Sequence, residues 1–174
     1  MNRHVSYWLT PAEPDRTHWD KIIRSLAVEF EAPIFEPHVT LYSTALSLND
    51  RPDEIVRAAA ANTSKVILQV TGIGHSPQFT KTLFVEFASN PALANLGAEL
   101  KHRSSEPSDY ELKPHLSLIY ATLMPGVVKR LESELSLPAH IRFDTVKSMV
   151  SSGSTRTRAD VEAWQIVASA KLGE

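Results

Sequence analysis

Two short stretches of the chain combine an imidazole and a hydroxyl in the same way: Pro37-His38-Val39-Thr40-Leu41 and Pro114-His115-Leu116-Ser117-Leu118. Each runs proline, histidine, apolar residue, hydroxyl residue, leucine. Residues two apart on a β-strand face the same side of a sheet. Each copy therefore presents its histidine and hydroxyl together and turns its apolar neighbours into a core. Two such pairs facing each other across a cleft supply a general base, a general acid and two hydrogen-bond donors for a charged transition state. Histidine suits both proton roles because its ordinary pKa of about 6.5 lies near working pH. One imidazole must start neutral and the other protonated, and the residues do not say which is which. No metal is required.

The bare pattern His-x-Ser/Thr is weak. With seven histidines and thirty serines or threonines, about one match arises by chance, and four occur. The other two are His4-Val5-Ser6, at the start of the chain, and His102-Arg103-Ser104, which runs into the loop-like Ser105-Glu106-Pro107. The flanks separate the informative pair. Proline biases its predecessor toward extended backbone and suits the first residue of a strand. Both copies also sit in alternating apolar runs and precede leucine. A single copy reads as the polar face of a half-buried strand; two copies with matching flanks, 77 positions apart, read as a site.

The elements that must position them follow from the periodicity. Val5 to Leu9 reads as a strand, and His18 to Phe30 as a helix capped by Asp15 or Thr17, with Ile22, Ile23, Leu26 and Phe30 in its stripe. Residues 38 to 43 carry the first motif strand, and Asn49 or Asp50 opens a helix to Ala61. Strands are expected over Lys65 to Ile73 and Thr82 to Phe87, then a helix over Pro91 to His102 and a polar, mobile loop from Ser104 to Lys113. The second motif strand runs from His115 to Tyr120, followed by a helix over Pro125 to Leu135 with proline at its start. Two strands, Ile141 to Val150 and Val161 to Ala170, end the chain. Helices are too few for strict βαβ alternation, so an α+β fold with antiparallel pairing is expected. No low-complexity linker divides the chain, and residues 1–174 read as a single domain of two lobes, each contributing one motif.

Composition narrows the partners. A length of 174 residues is enough to bury a core. A net charge of −2 gives no broad basic face for long nucleic acid. The absence of cysteine excludes disulfides, thiolate zinc sites and cysteine nucleophiles. No apolar run approaches the length of a membrane span and the N-terminus lacks a signal-peptide core, so a cytoplasmic monomer is the default expectation. Gly72-Ile73-Gly74 lacks the third glycine of a dinucleotide loop. Acidic residues are scattered, and the histidines lack the companions of a metal site. Lys81, Lys113, Arg156 and Arg158 are weaker phosphate-binding candidates, read first as solvated charges.

The doubled motif resembles that of the 2H phosphoesterase superfamily. The flanks Val5-Ser6-Tyr7-Trp8-Leu9-Thr10-Pro11, Leu118-Ile119-Tyr120 and Glu162-Ala163-Trp164-Gln165-Ile166-Val167-Ala168 are similar to its cyclic phosphodiesterase branch, over essentially the whole chain. The resemblance implies two pseudo-symmetric antiparallel sheets around a central groove with helices outside. It implies catalytic roles for His38 and His115, phosphate contacts from Thr40 and Ser117, substrate contacts from Tyr120 and Trp8, and no cofactor. Its activity would be opening of 2′,3′-cyclic nucleotides or ADP-ribose 1″,2″-cyclic phosphate, with a small nucleotide as the partner. The alternatives are RNA-end processing of the 2′-5′ ligase or phosphodiesterase type, and a non-catalytic nucleotide- or RNA-binding module.

Overall fold

The computed structural model describes residues 3–173. Strand β1 (His4–Pro11) shows the period of two that organises the molecule. Val5, Tyr7 and Leu9 have no exposed surface and enter the core, while His4, Ser6 and Trp8 face the opposite side. The same division appears in β2 (Val39–Ala45), where Val39 and Leu41 are buried in the core, and in β5 (His115–Ile119), where Leu116 and Leu118 are.

The remaining elements are α1 (Asp15–Glu29), α2 (Pro52–Ala61), β3 (Val66–His75), β4 (Leu83–Phe87), α3 (Pro91–Arg103), α4 (Pro125–Glu134), β6 (His140–Ser151), α5 (Arg158–Glu162) and β7 (Gln165–Lys171). Proline opens α2, α3 and α4, where its missing N–H costs nothing. Helix α1 lies against β5 and β1, α3 against β2, and α2 against α3, β6 and β7.

All strand pairs are antiparallel, in the order β1-β2-β5-β4-β3-β6-β7, with β1 also paired to β6. Strand β6 is long enough to serve twice: residues 140–143 pair with β3, and residues 143–151 pair with β1. The strands thus form one seven-stranded sheet, and the two sheets expected from the sequence are its two arms, β2-β1-β6-β7 and β5-β4-β3-β6, that share β6. Each arm ends in a motif strand, and the motif strands meet at one bridge, Val39 with Leu116. Among the described residues no helix is long and apolar enough to cross a membrane.

Helix α1 begins at Asp15 behind Pro14 with no side-chain cap, where a start at His18 capped by Asp15 or Thr17 was expected. Two further segments differ from the sequence expectation. Residues 104–113 form a strap fastened along β2, not a free loop. The bridge at Val39 is the sole β2–β5 pair, so the rest of that β2 edge is open to other partners. Tyr110 Oη donates to the Thr40 carbonyl (3.0 Å), Ser108 Oγ to that of Ser43 (2.7 Å), and Thr44 Oγ1 to that of Glu106 (2.8 Å). Asp50, expected to open α2, instead accepts from Ser105 N (2.9 Å) and Ser47 N (3.0 Å). The second difference is at Val161–Trp164, expected as strand. Thr157 Oγ1 accepts from Asp160 N (3.2 Å) while the Asp160 carboxylate accepts from Thr157 N (2.9 Å), a capping box that opens α5 at Arg158, so that Val161 and Glu162 are helical and β7 starts only at Gln165.

Candidate active site

The leucine that closes each motif has a structural job. Tyr7 pairs with Tyr42 and Trp8 with Thr40, which leaves Leu41 as an extra residue in β2. Leu83 pairs with Ile119 and Phe84 with Ser117, which leaves Leu118 as an extra residue in β5. Each motif therefore carries a β-bulge one position after its hydroxyl, a device that re-aims side chains beside functional sites. Both bulged leucines are buried. With Val39 opposite Leu116, antiparallel geometry sets His38 across from Ser117 and Thr40 across from His115.

The imidazoles are oriented by one repeated contact. His38 Nδ1 lies 2.7 Å from the Glu36 carbonyl, and His115 Nδ1 lies 2.7 Å from the Lys113 carbonyl. A carbonyl only accepts, so each Nδ1 carries the proton and Nε2 is the nitrogen left for proton exchange. Beyond this contact the surroundings diverge. His38 is 6% exposed and stacks on Trp8, with ring centroids 3.8 Å apart and planes 11° apart. Burial pushes its pKa down to about 4, and the neighbouring His115 adds to the shift. His115 is half-buried and meets the edge of Phe84 at 5.3 Å. Its pKa is also lowered, by burial first and by Lys81 as well, with Glu86 opposing.

All six residues singled out from the sequence, His38, Thr40, His115, Ser117, Tyr120 and Trp8, line one cavity of about 310 Å³. Trp8 and Tyr120 are each 3% exposed, and one face of each ring is taken: Trp8 by His38, Tyr120 by Phe35 at 3.9 Å. Ser117 Oγ donates to the Thr80 carbonyl at 3.2 Å. Of the weaker candidates, Lys81 reaches the cavity, with its Nζ 4.8 Å above the Phe84 ring. Lys113 pairs with Glu111 and Arg158 with Glu162, and neither they nor Arg156 line it.

Sequence reasoning missed His4, Ser6, Ser43, Tyr110 and Trp164, which also border the cavity. For His4 and Ser6 the signal was present. They precede Trp8 by four and two positions, so strand alternation puts all three on one face. Trp164 approaches edge-on to Trp8 at 5.5 Å and to Tyr120 at 5.8 Å, a contact between distant elements that no local pattern reveals.

An antiparallel α+β sheet that brings two His-x-Ser/Thr motifs into one cleft defines a member of the 2H phosphoesterase superfamily. More closely, the chain belongs to the family described as "Cyclic phosphodiesterase-like protein", which matches residues 1–172. A cyclic phosphodiesterase from Arabidopsis thaliana is 26% identical over 118 residues, a match that covers 68% of this chain and 65% of that protein, just under two thirds of its length. Two solved structures share the fold over the full length of both chains. E. coli LigT complexed with 3′-AMP superimposes with a TM-score of 0.62 at 13% identity, and a structure described as a phosphoesterase with a TM-score of 0.61 at 14%.

Proposed function

We propose that the protein hydrolyses cyclic phosphodiesters on small nucleotides without a metal, using His38 as general base and His115 as general acid. The observation that carries this reading is the pair of imidazoles in one cleft, each with Nδ1 tied to a carbonyl and Nε2 left free. Their family membership supports it. So do the structures of E. coli LigT with 3′-AMP, ATP and NADP+, all small nucleotides.

Burial keeps His38 neutral, so its Nε2 takes a proton from water as the water oxygen bonds to phosphorus. The ring P–O bond breaks on the opposite side, and the departing alkoxide takes its proton from His115 Nε2. The products are a phosphomonoester and a free hydroxyl, and the two histidines have exchanged protonation states. Thr40 donates to a non-bridging oxygen, and Ser117 does so once its hydroxyl turns from the Thr80 carbonyl to the phosphate; loss of one such donor costs about 3 kcal/mol of transition-state stabilisation. Burial raises the Tyr120 phenol's pKa, so it stays protonated and serves as a third donor. Trp8 acts through His38, holding its ring plane by stacking.

The test is incubation with 2′,3′-cyclic AMP in EDTA across pH 5 to 8, with products separated by chromatography. Conversion to adenosine monophosphate is expected, with a fall of about 10²–10⁴ in His38→Ala and in His115→Ala. No turnover by the intact protein would overturn the reading for this substrate, and loss of activity on adding EDTA would overturn the metal-free mechanism. The RNA-end alternative requires retention of labelled RNA oligomers at low salt. A binding module requires tight nucleotide binding with no turnover.

A further inference from the structure

The two motif histidines donate to carbonyls that are held in different ways. Beside the Lys113 carbonyl, which accepts from His115 Nδ1, the chain is tied to the sheet: Phe87 N of β4 donates to the Pro114 carbonyl at 3.4 Å. The Lys113 side chain takes no part, being exposed beside Glu111. On the other side, residues 32–38 belong to no helix or strand. Among the described residues no backbone–backbone hydrogen bond holds residues 33–37. Glu36 precedes a proline, which favours extended backbone but fastens it to nothing. Its carbonyl must nevertheless keep its direction, because it accepts from His38 Nδ1 at 2.7 Å.

Side chains fasten this segment instead. The Phe35 ring stacks on Tyr120, and the Glu36 carboxylate accepts from Lys147 Nζ on β6. Lys147 is the register partner of Trp8, so its side chain leaves the sheet on the same face as the indole that stacks on His38. The contacts close a ring: Lys147 beside Trp8, Trp8 on His38, His38 on the Glu36 carbonyl, and the Glu36 carboxylate on Lys147. Trp8 sets the plane of the imidazole, and the Glu36 carbonyl sets which nitrogen carries the proton. Among the described residues this is the one ion pair with both side chains less than a third exposed, at 17% and 28%. A shielded pair is a poor source of net stability, since desolvation offsets the attraction, but breaking it strands a charge. In a segment without backbone anchors, such a pair serves placement.

We infer that Lys147 is a positioning residue for the general base: through the Glu36 carboxylate it fixes the carbonyl that keeps the His38 proton on Nδ1, and so leaves Nε2 free to accept a proton from water. The inference rests on reading His38 as the base. Lys147 does not line the cavity and acts only through Glu36. Without this anchor the carbonyl turns away and the proton moves between the two ring nitrogens. An Nε2–H can take nothing from water.

Nitrogen-15 NMR of histidine-labelled protein at pH 7, where burial keeps His38 neutral, reads the tautomer without turnover. In the intact protein His38 should hold its proton on Nδ1. Lys147→Met should give mixed tautomers at His38 with His115 unchanged. Its kcat for 2′,3′-cyclic AMP should fall roughly tenfold or more, with KM changed less than about twofold. The double variant Lys147→Met/Glu36→Gln strands no charge and should show the same mixture and the same loss. An unchanged His38 tautomer in both variants, recovery in the double variant, or an equal change at His115 would overturn the inference. Absence of turnover by the intact protein would overturn the proposed function, while the His38 tautomer would still decide the anchor.

Discussion

On one side of the cleft a histidine is enclosed by aromatic rings; on the other a histidine sits half in water beside a lysine and a glutamate. Both are held by the same contact, Nδ1 to the carbonyl two residues upstream, and both precede a bulged leucine. The backbone therefore fixes tautomer and direction equally on the two sides. What differs is the medium. Trp8, Phe35 and Trp164 surround His38 and disfavour its charged form, whereas His115 is half-exposed, its pKa lowered by burial and Lys81 with Glu86 opposing. A local device repeated by pseudo-symmetry thus yields two unlike groups, because desolvation is set by distant elements.

The sharpest way to break this comparison is to remove the need for an acid. In a cyclic substrate whose departing bridging oxygen is replaced by sulfur, the leaving group needs no proton. His115→Ala should then recover most of the roughly 10²–10⁴-fold loss it shows on the oxygen substrate, while His38→Ala should not. Recovery in His38→Ala instead would exchange the two roles.

A second effect concerns stability. His38 titrates near 4 when folded against about 6.5 when unfolded, so as pH falls the unfolded chain takes up the proton first. Stability contributed by the neutral, buried ring is complete above pH 6.5 and is lost as pH falls toward 4. A difference of that size amounts to about 3 kcal/mol. Urea unfolding at pH 7 and pH 4 should show His38→Gln losing less stability than the parent by about that amount. Identical acid sensitivity in the two proteins would show that the ring is not held neutral by burial.

The likeness between the two sides was legible in the chain, and the difference was not. The flanking prolines and leucines mark both motif strands because strand entry and strand alternation are local properties of residues 37–41 and 114–118. Element types were readable along most of the chain for the same reason. The strap and α5 were misread because their partners are specific hydrogen bonds: Tyr110 to a carbonyl 70 residues away, and Thr157 to Asp160 within a stretch that composition alone marks as loop. Lys81 looked like a solvated charge, since only the β4–β5 pairing and the short 3-10 turn at Phe79–Lys81 bring it to the cleft.

Lys81 and Glu86 give the smallest effect and the finest test of the asymmetry. An acid must be protonated to act, so activity falls as pH rises through the pKa of His115. Lys81 lowers that pKa and Glu86 raises it. Lys81→Met should therefore carry the alkaline limb of kcat/KM upward, and Glu86→Gln should carry it downward. Neither residue contributes to the pKa of His38, which burial and His115 lower against the opposing Glu36 carbonyl, so the acidic limb should stay in place. Movement of the acidic limb with Lys81 and Glu86 would mean that the half-exposed histidine is the base, and that burial of His38 serves to tune the acid.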